Sequence, residues 1–170
     1  HELLAGEIVE KAVPSAEHGS TQGRVAGYVG LPFDRRSGGS GGPGGWWLAT
    51  EVELQLGDDV CRPDVLGWRR DKVAERPRGR LVTTVPDWTC EILSSGNARN
   101  DQVRKKRIYH RHGVGHYWIL DPAEQTLAAY RWHTDGYLEV VSADRTQTVR
   151  VEPFEAIELS VAVLFGDDPE

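Results

Sequence analysis

The 170-residue chain is 39% hydrophobic and 27% charged, enough for one domain with a real core and too apolar for a disordered tail. No apolar run approaches the roughly 20 residues of a membrane span, and two cysteines, Cys61 and Cys90, make no disulfide framework. The net charge of −6 argues against a polyanion partner until its distribution is read: residues 62–111 hold 13 Lys/Arg against 6 Asp/Glu, and the rest hold 7 against 20.

In chain order, HELLAGEIVE lacks the basic-then-apolar layout of a secretory signal. With so few cysteines this suits a reducing, cytoplasmic setting. The chain holds no methionine, so His1 is not expected to be the natural start. GEIVEKAV alternates well enough for a first short strand. Ser15 to Tyr28 reads as the opening helix, weakened by Gly19, Gly23 and Gly27. SGGSGGPGG, residues 37–45, is a flexible connector by composition. It contains G-x-G-x-x-G at Gly39, Gly41 and Gly44, but a dinucleotide fingerprint needs a strand before it and a helix after it. Arg35-Arg36 precede it and the strand-like Trp46-Trp47 follow, so the nucleotide reading is rejected.

WWLATEVELQL, residues 46–56, reads as one strand with Glu51 and Glu53 opposite Val52, Leu54 and Leu56. Gly57-Asp58-Asp59 turns the chain. VCRPDVLGW follows as a second strand, at an edge or locally irregular because Pro63 lacks a donor. The basic connector RRDKVAERPRGR leads to VPDWTCEILSS, a strand with Trp88, Cys90 and Ile92 on one face and Asp87, Thr89, Glu91 and Leu93 on the other. NARNDQVRKKRIYHRHG is the clear helix, capped by Asn97 or Asn100 and stopped by Gly113. HYWILD is a short strand, and TLAAYRWH and YLEVVS flank Asp135-Gly136 as a hairpin. FEAIELSVAVLF fits strand or helix. The class is α/β or α+β, a mixed central sheet flanked by helices, with added hairpins in the C-terminal half.

Acids interrupt three of these strands: Glu51, Asp64 and Glu91. An unpaired buried charge costs on the order of several kcal/mol, so each needs a partner. Consecutive strands tend to neighbour in space, and a meander brings the three carboxylates to one face. There a hard divalent cation, Mg2+ or Mn2+, compensates them. Asp101, Lys105 and Tyr109 share one face of the following helix and aim Lys105 at the carboxylates. Carboxylates, a metal and a lysine are the equipment for hydrolysing a phosphodiester.

Each residue also has a plainer reading. Asp64 is a turn or edge residue; Glu91 is ion-paired with Arg62; Lys105 is one charge in a solvated RKKR run. Asp87 is strand-entry punctuation after Pro86, and Tyr109 is a packing residue with a polar tip. Zinc is set aside: His110 and His112 face apart, His116 lies beyond Gly113, and neither cysteine has a C-x2-C partner. Trp46, Trp47, Trp118 and Trp132 are expected in the core or at a subunit interface.

The order GEIVE, PSAEH, WWLATEVELQL, CRPDV, PDWTCEILSSGN, D-x3-K-x3-Y and GVGHYWILDP resembles the Uma2 family, within the PD-(D/E)xK nuclease superfamily, from Gly6 to Leu164. The resemblance implies a single restriction-endonuclease-like domain over residues 1–170 with an αβββαβ core. It implies metal-dependent cleavage of nucleic acid, DNA before RNA, with Mg2+ or Mn2+ as cofactor. The PD aspartate falls on Asp64, the (D/E) glutamate on Glu91 and an acidic companion on Glu51. The motif lysine two residues after the glutamate is absent, Leu93 standing there; Lys105 holds the place of a lysine recruited from the next helix. His18 matches a histidine near the start of the first helix, and LSSGN replaces the family's usual LSPST. On this reading Arg69, Arg70, Lys72, Arg76, Arg78 and Arg80 contact phosphates without reading sequence, with Asp87, Asp101 and Tyr109 as secondary site candidates. A two-fold homodimer is the default from symmetry for cutting both strands. The missing lysine and the acidic balance keep a rival in view: a catalytically silent binding or assembly module on the same fold.

Overall fold

The computed structural model describes residues 1–40 and 42–169. Gly41, in the Gly/Ser connector and the middle glycine of the rejected fingerprint, lies outside the described residues, as does Glu170. The first strand of the sequence reading is a hairpin of two, β1 (Glu2–Leu4) and β2 (Glu7–Val9). Ala5 and Gly6 both take positive φ, 52° and 81°, the backbone a two-residue antiparallel link requires.

Helix α1 (Ala16–Phe33) starts where Ser15 accepts from the His18 amide at 3.2 Å, and runs past Tyr28 to bury Val25, Val29 and Phe33. Gly19, Gly23 and Gly27 face open space, so their cost to the helix is conformational and not a packing defect. Beyond the helix the described part of the Gly/Ser connector folds back: Gly44 N–H donates to Pro32 O at 2.9 Å and Gly45 N–H to Arg35 O at 2.7 Å. Gly44 has φ 66°, and a side chain there would run into the Arg36 carbonyl.

The stretch read as one strand over 46–56 is two, β3 (Trp46–Thr50) and β4 (Glu53–Leu56), broken where Glu51 takes φ 56°. The next is also split, into β5 (Asp59–Cys61) and β6 (Val65–Arg69), at Arg62-Pro63-Asp64. Because β3 pairs with β6 and β4 with β5, one long hairpin forks at Glu51 and Pro63 and feeds two sheets. Pro63, with no N–H to give a ladder, marks the fork in the sequence.

Strand β7 (Leu81–Val82) joins β4 in parallel. Strand β8 (Trp88–Ile92) lies antiparallel to β6 and parallel to β9 (His116–Asp121). The crossover between them is a π-helical segment, Asn100–Lys105, continuing as α2 (Lys106–Arg111), with Gly113 at φ 75° just past the cap. The hairpin β10 (Thr126–Arg131) and β11 (Leu138–Asp144) extends the sheet. The ambiguous tail is both things: β13 (Leu159–Ser160), paired with β12 (Thr148–Val149), and a single helical turn, α3 (Val161–Leu164).

The main sheet has the order β11-β10-β9-β8-β6-β3, and the smaller one β2-β1-β5-β4-β7. Taken along the chain, α1, β3, β6, β8, the π/α2 crossover and β9 follow one another in the order αβββαβ, the core that the resemblance implied. One face of the main sheet buries Trp88, Cys90, Ile92 and Trp118 with Val25, Val29 and Phe33 of α1. The other packs Leu66, Trp68 and Tyr117 with Leu54 and Leu56 of the small sheet and Ile108 and Tyr109 of α2. No helix among the described residues is long and apolar enough to cross a membrane.

Candidate active site

Strand β8 alternates as its sequence requires: Trp88, Cys90 and Ile92 enter the core against α1, while Glu91 and Leu93 turn to the side of the small sheet. Val65 is paired with both Cys90 and Thr50, so one further step in register sets Asp64 opposite Glu91 and Glu51 opposite Asp64. The three acids thus lie in a row, Glu51 just past the end of β3, Asp64 just before the start of β6 and Glu91 within β8.

No single ammonium contacts all three. Among the described residues no three His, Cys, Asp or Glu side chains form a group able to hold a metal by themselves. Two lysines divide the row instead. Lys11 Nζ lies 2.8 Å from Asp64 Oδ1, 3.1 and 3.0 Å from Glu51 Oε1 and Oε2, and 2.8 Å from the Arg62 carbonyl. Gln22 of α1 donates to Glu51 Oε1 at 3.2 Å and to Asp64 O at 3.0 Å, and Arg62 Nε lies 2.9 Å from Glu51 Oε2. The second Asp64 oxygen accepts from the Ile92 amide at 2.7 Å and faces His18 Nε2 at 3.4 Å. Burial works to raise the Asp64 carboxyl, but His18, Lys11 and the Ile92 amide outweigh it and hold it well below the usual carboxylate range.

Beneath this layer lies a sealed one. Lys105 Nζ donates to Glu91 Oε2 at 3.2 Å and is ion-paired with Glu2 Oε1 at 2.9 Å and Asp101 Oδ1 at 3.0 Å, all four residues being buried. Tyr109 O–H donates to Glu91 Oε1 at 2.6 Å, so both Glu91 oxygens are engaged. Burial pushes Glu91 well above the ordinary glutamate value despite the Lys105 charge. Burial also acts against the Lys105 charge, but Glu91, Asp101 and Glu2 outweigh it and keep the ammonium protonated.

Of the sequence candidates, the structure therefore gathers Glu51, Asp64 and His18 in the outer layer and Glu91, Asp101, Lys105 and Tyr109 in the inner one. Lys11, Gln22, Arg62 and Glu2 were not singled out as site residues. Lys11 is 53 residues from Asp64, in a stretch that reads as strand, and no spacing rule ties the two. Asp87 stands apart, at the opposite end of β8 from Glu91. Its Oδ2 accepts from the Arg69 amide at 2.8 Å and its Oδ1 from Lys72, which is strand-entry bonding.

The basic connector divides as well. Arg70 stacks on Trp47 at 3.4 Å, Arg76 lies 4.8 Å from the same ring, and both bond Asp34. These two brace the connector against α1 and β3. Arg69 is near Asp71 and Arg80 near Glu53, while Lys72, Arg78 and Arg80 remain exposed. Trp46 and Trp118 are core residues, whereas Trp132 is partly exposed and stacks on His110. Cys61 and Cys90 are free and buried. An open cleft of about 500 Å³ lies between Ala12, Val13 and Ser15, the residues that follow Lys11, on one side and Leu93, Ser94 and Ser95 on the other.

No curated protein matches the chain. Among solved structures, a protein described as "a putative nuclease belonging to DUF820 from Anabaena variabilis" aligns with 96% of this chain and 88% of its own, at 23% identity and a TM-score of 0.73. At that identity the likeness establishes the fold. The family model described as "Putative restriction endonuclease" matches residues 1–163. The chain, with its αβββαβ core and its row of acids, belongs to the Uma2 family.

Proposed function

We propose that the protein is a Mg2+- or Mn2+-dependent nuclease acting on DNA, with its metal held at Glu51 and Asp64. The observation that carries this is the convergence of Glu51 Oε1 and Oε2, Arg62 O and Asp64 Oδ1 on one cationic point at 2.8–3.1 Å. The donors are hard oxygens, and Mg2+ commonly uses one or two carboxylates with water and substrate phosphate completing its shell. The residues present therefore fit such an ion without a third acidic side chain. Bound there, it would lower the pKa of a water and neutralise charge developing on the phosphate.

The chain's own groups prepare that point. His18, Lys11 and the Ile92 amide keep Asp64 ionised, and Gln22 and Arg62 orient Glu51. Lys105 is only 1% exposed and its ammonium is held among Glu2, Glu91 and Asp101. It acts as a positioning residue that fixes Glu91, and through the rigid β8 backbone the Ile92 amide on Asp64. Arg78, Lys72 and Arg80 are the connector's exposed phosphate contacts, the last two by exchanging the carboxylates of Asp87 and Glu53 for phosphate, while Arg70 and Arg76 hold the connector in place. A silent binding module is the second reading, favoured by Leu93 at the motif lysine position and by the lysine seated among the oxygens.

Incubation with supercoiled plasmid, single-stranded DNA and RNA, in Mg2+, Mn2+ or EDTA, separates the two. The nuclease reading expects metal-dependent cleavage of DNA that falls by about 100-fold or more in Asp64→Asn. No cleavage with either metal, or cleavage indifferent to Asp64→Asn, rejects it in favour of the silent module.

A further inference from the structure

We infer that Lys11 is a built-in occupant of the metal seat: its ammonium and a divalent cation are alternative tenants of the oxygens of Glu51, Arg62 and Asp64, and metal entry drives Lys11 out toward the adjoining cleft. This rests on the proposed metal seat but not on any cleavage activity. Four oxygens lie within 3.1 Å of Lys11 Nζ, more than its three protons can serve singly, so the seat is built around a positive charge as much as around a lysine. Two cations cannot share so small a volume in a half-buried setting, where their repulsion is poorly screened.

The exit is also built in. Residues 10–15, which join β2 to α1, belong to neither element, so Lys11 can swing without breaking a ladder or a helical turn. Its neighbours Ala12 and Val13 line the 500 Å³ cleft, and Val13 is 89% exposed. Lys105 differs on every count: it is sealed, it projects from the crossover helix, and it is held by three carboxylates at once. Once displaced, Lys11 stands at the rim of the seat, a cationic side chain beside a bound phosphate, the function that Leu93 cannot serve.

Two measurements test this without substrate. Mn2+ binding is followed by electron paramagnetic resonance and calorimetry for the wild type and Lys11→Gln. Removing the competing tenant is expected to tighten binding by about tenfold or more, because the wild-type affinity is reduced by the small open fraction of the seat. In the wild type, acetylation of lysines by an N-hydroxysuccinimide ester is mapped by peptide mass spectrometry at rising Mg2+, with choline chloride holding ionic strength constant. Lys11 is expected to become roughly fivefold more reactive or better, while Lys105 stays protected as an internal control.

Unchanged or weaker Mn2+ binding in a folded Lys11→Gln overturns the inference, as does unchanged or reduced Lys11 labelling in Mg2+. Should the variant fail to fold, the wild-type labelling decides alone. Tighter Mn2+ binding without DNA cleavage upholds the shared seat and refutes the nuclease reading. Cleavage with unaltered Mn2+ affinity does the reverse.

Discussion

Lys105 is ion-paired with Glu2, Glu91 and Asp101 with almost no contact with solvent. Removing one partner from such a cluster leaves the others charged and without compensation, which costs more than the pair's net worth. Lys105→Met, similar in volume, is expected to destabilise the fold by about 3–5 kcal/mol in urea denaturation; a loss under about 1 kcal/mol would show the carboxylates to be neutral already. His18 carries a pH signature. Its hydrogen bond to Asp64 raises the imidazole pKa above its ordinary 6.5, outweighing burial. A raised folded-state pKa contributes stability that is complete below the unfolded value and is lost as pH rises through the folded one. The gap in melting temperature between wild type and His18→Gln should therefore be widest near about pH 5 and close at about pH 9; a gap that widens with pH contradicts the pairing. At this scale the acids were legible because charge in mid-strand is conspicuous, and Lys105 because helical spacing links it to Asp101 and Tyr109. Lys11 was not, since an ordinary lysine in a short amphipathic stretch carries no mark of a partner in a distant strand.

The element that organises the site is the forked hairpin. Glu51 sits in left-handed backbone, strained for a residue with a side chain, at the point where β3 ends and β4 leaves for the smaller sheet. The strain is compensated by what the Glu51 carboxylate meets there: Lys11, Gln22 and Arg62. Pro63 announces one side of this fork and was readable as a local irregularity; the break after Thr50 was not, because WWLATEVELQL has unbroken strand composition. In the same hairpin Gly67 permits close packing: a Cβ there would stand 2.5 Å from Leu48 Cδ2 and 3.1 Å from Trp46. Gly67→Ala is expected to cost about 1–3 kcal/mol by overpacking, read as a lowered urea midpoint. An unchanged midpoint would mean that β3 and β6 are looser than their register implies. The π-helical start of the crossover also escaped the sequence reading, although the side chains it presents, Asp101 and Lys105, were placed on the correct face.

Across the whole molecule, two sheets and a helical layer meet so that the ends of β3, β6 and β8, the start of α1 and the crossover helix converge on one place. The family was legible from EILS, D-x3-K-x3-Y and GVGHYWILDP in that order, and the αβββαβ order was what that resemblance implied; strand alternation and helix stops alone gave only a mixed α/β or α+β class. The division of the acids between an outer and an inner lysine was not, because it depends on the β2–α1 segment, whose position only the tertiary fold sets. The local basic excess of residues 62–111 is likewise spent partly inside the structure: Arg70 and Arg76 serve Trp47 and Asp34, and Lys105 serves three carboxylates. What remains for a polyanion is a small exposed set, consistent with a protein whose overall charge is negative. Anomalous diffraction from crystals soaked in Mn2+ tests the central claim most directly. The account predicts a peak bounded by Glu51, Asp64 and the Arg62 carbonyl, with the Lys11 side chain turned out of it. Lys11 still seated, with manganese absent or bound elsewhere at saturating concentration, contradicts it.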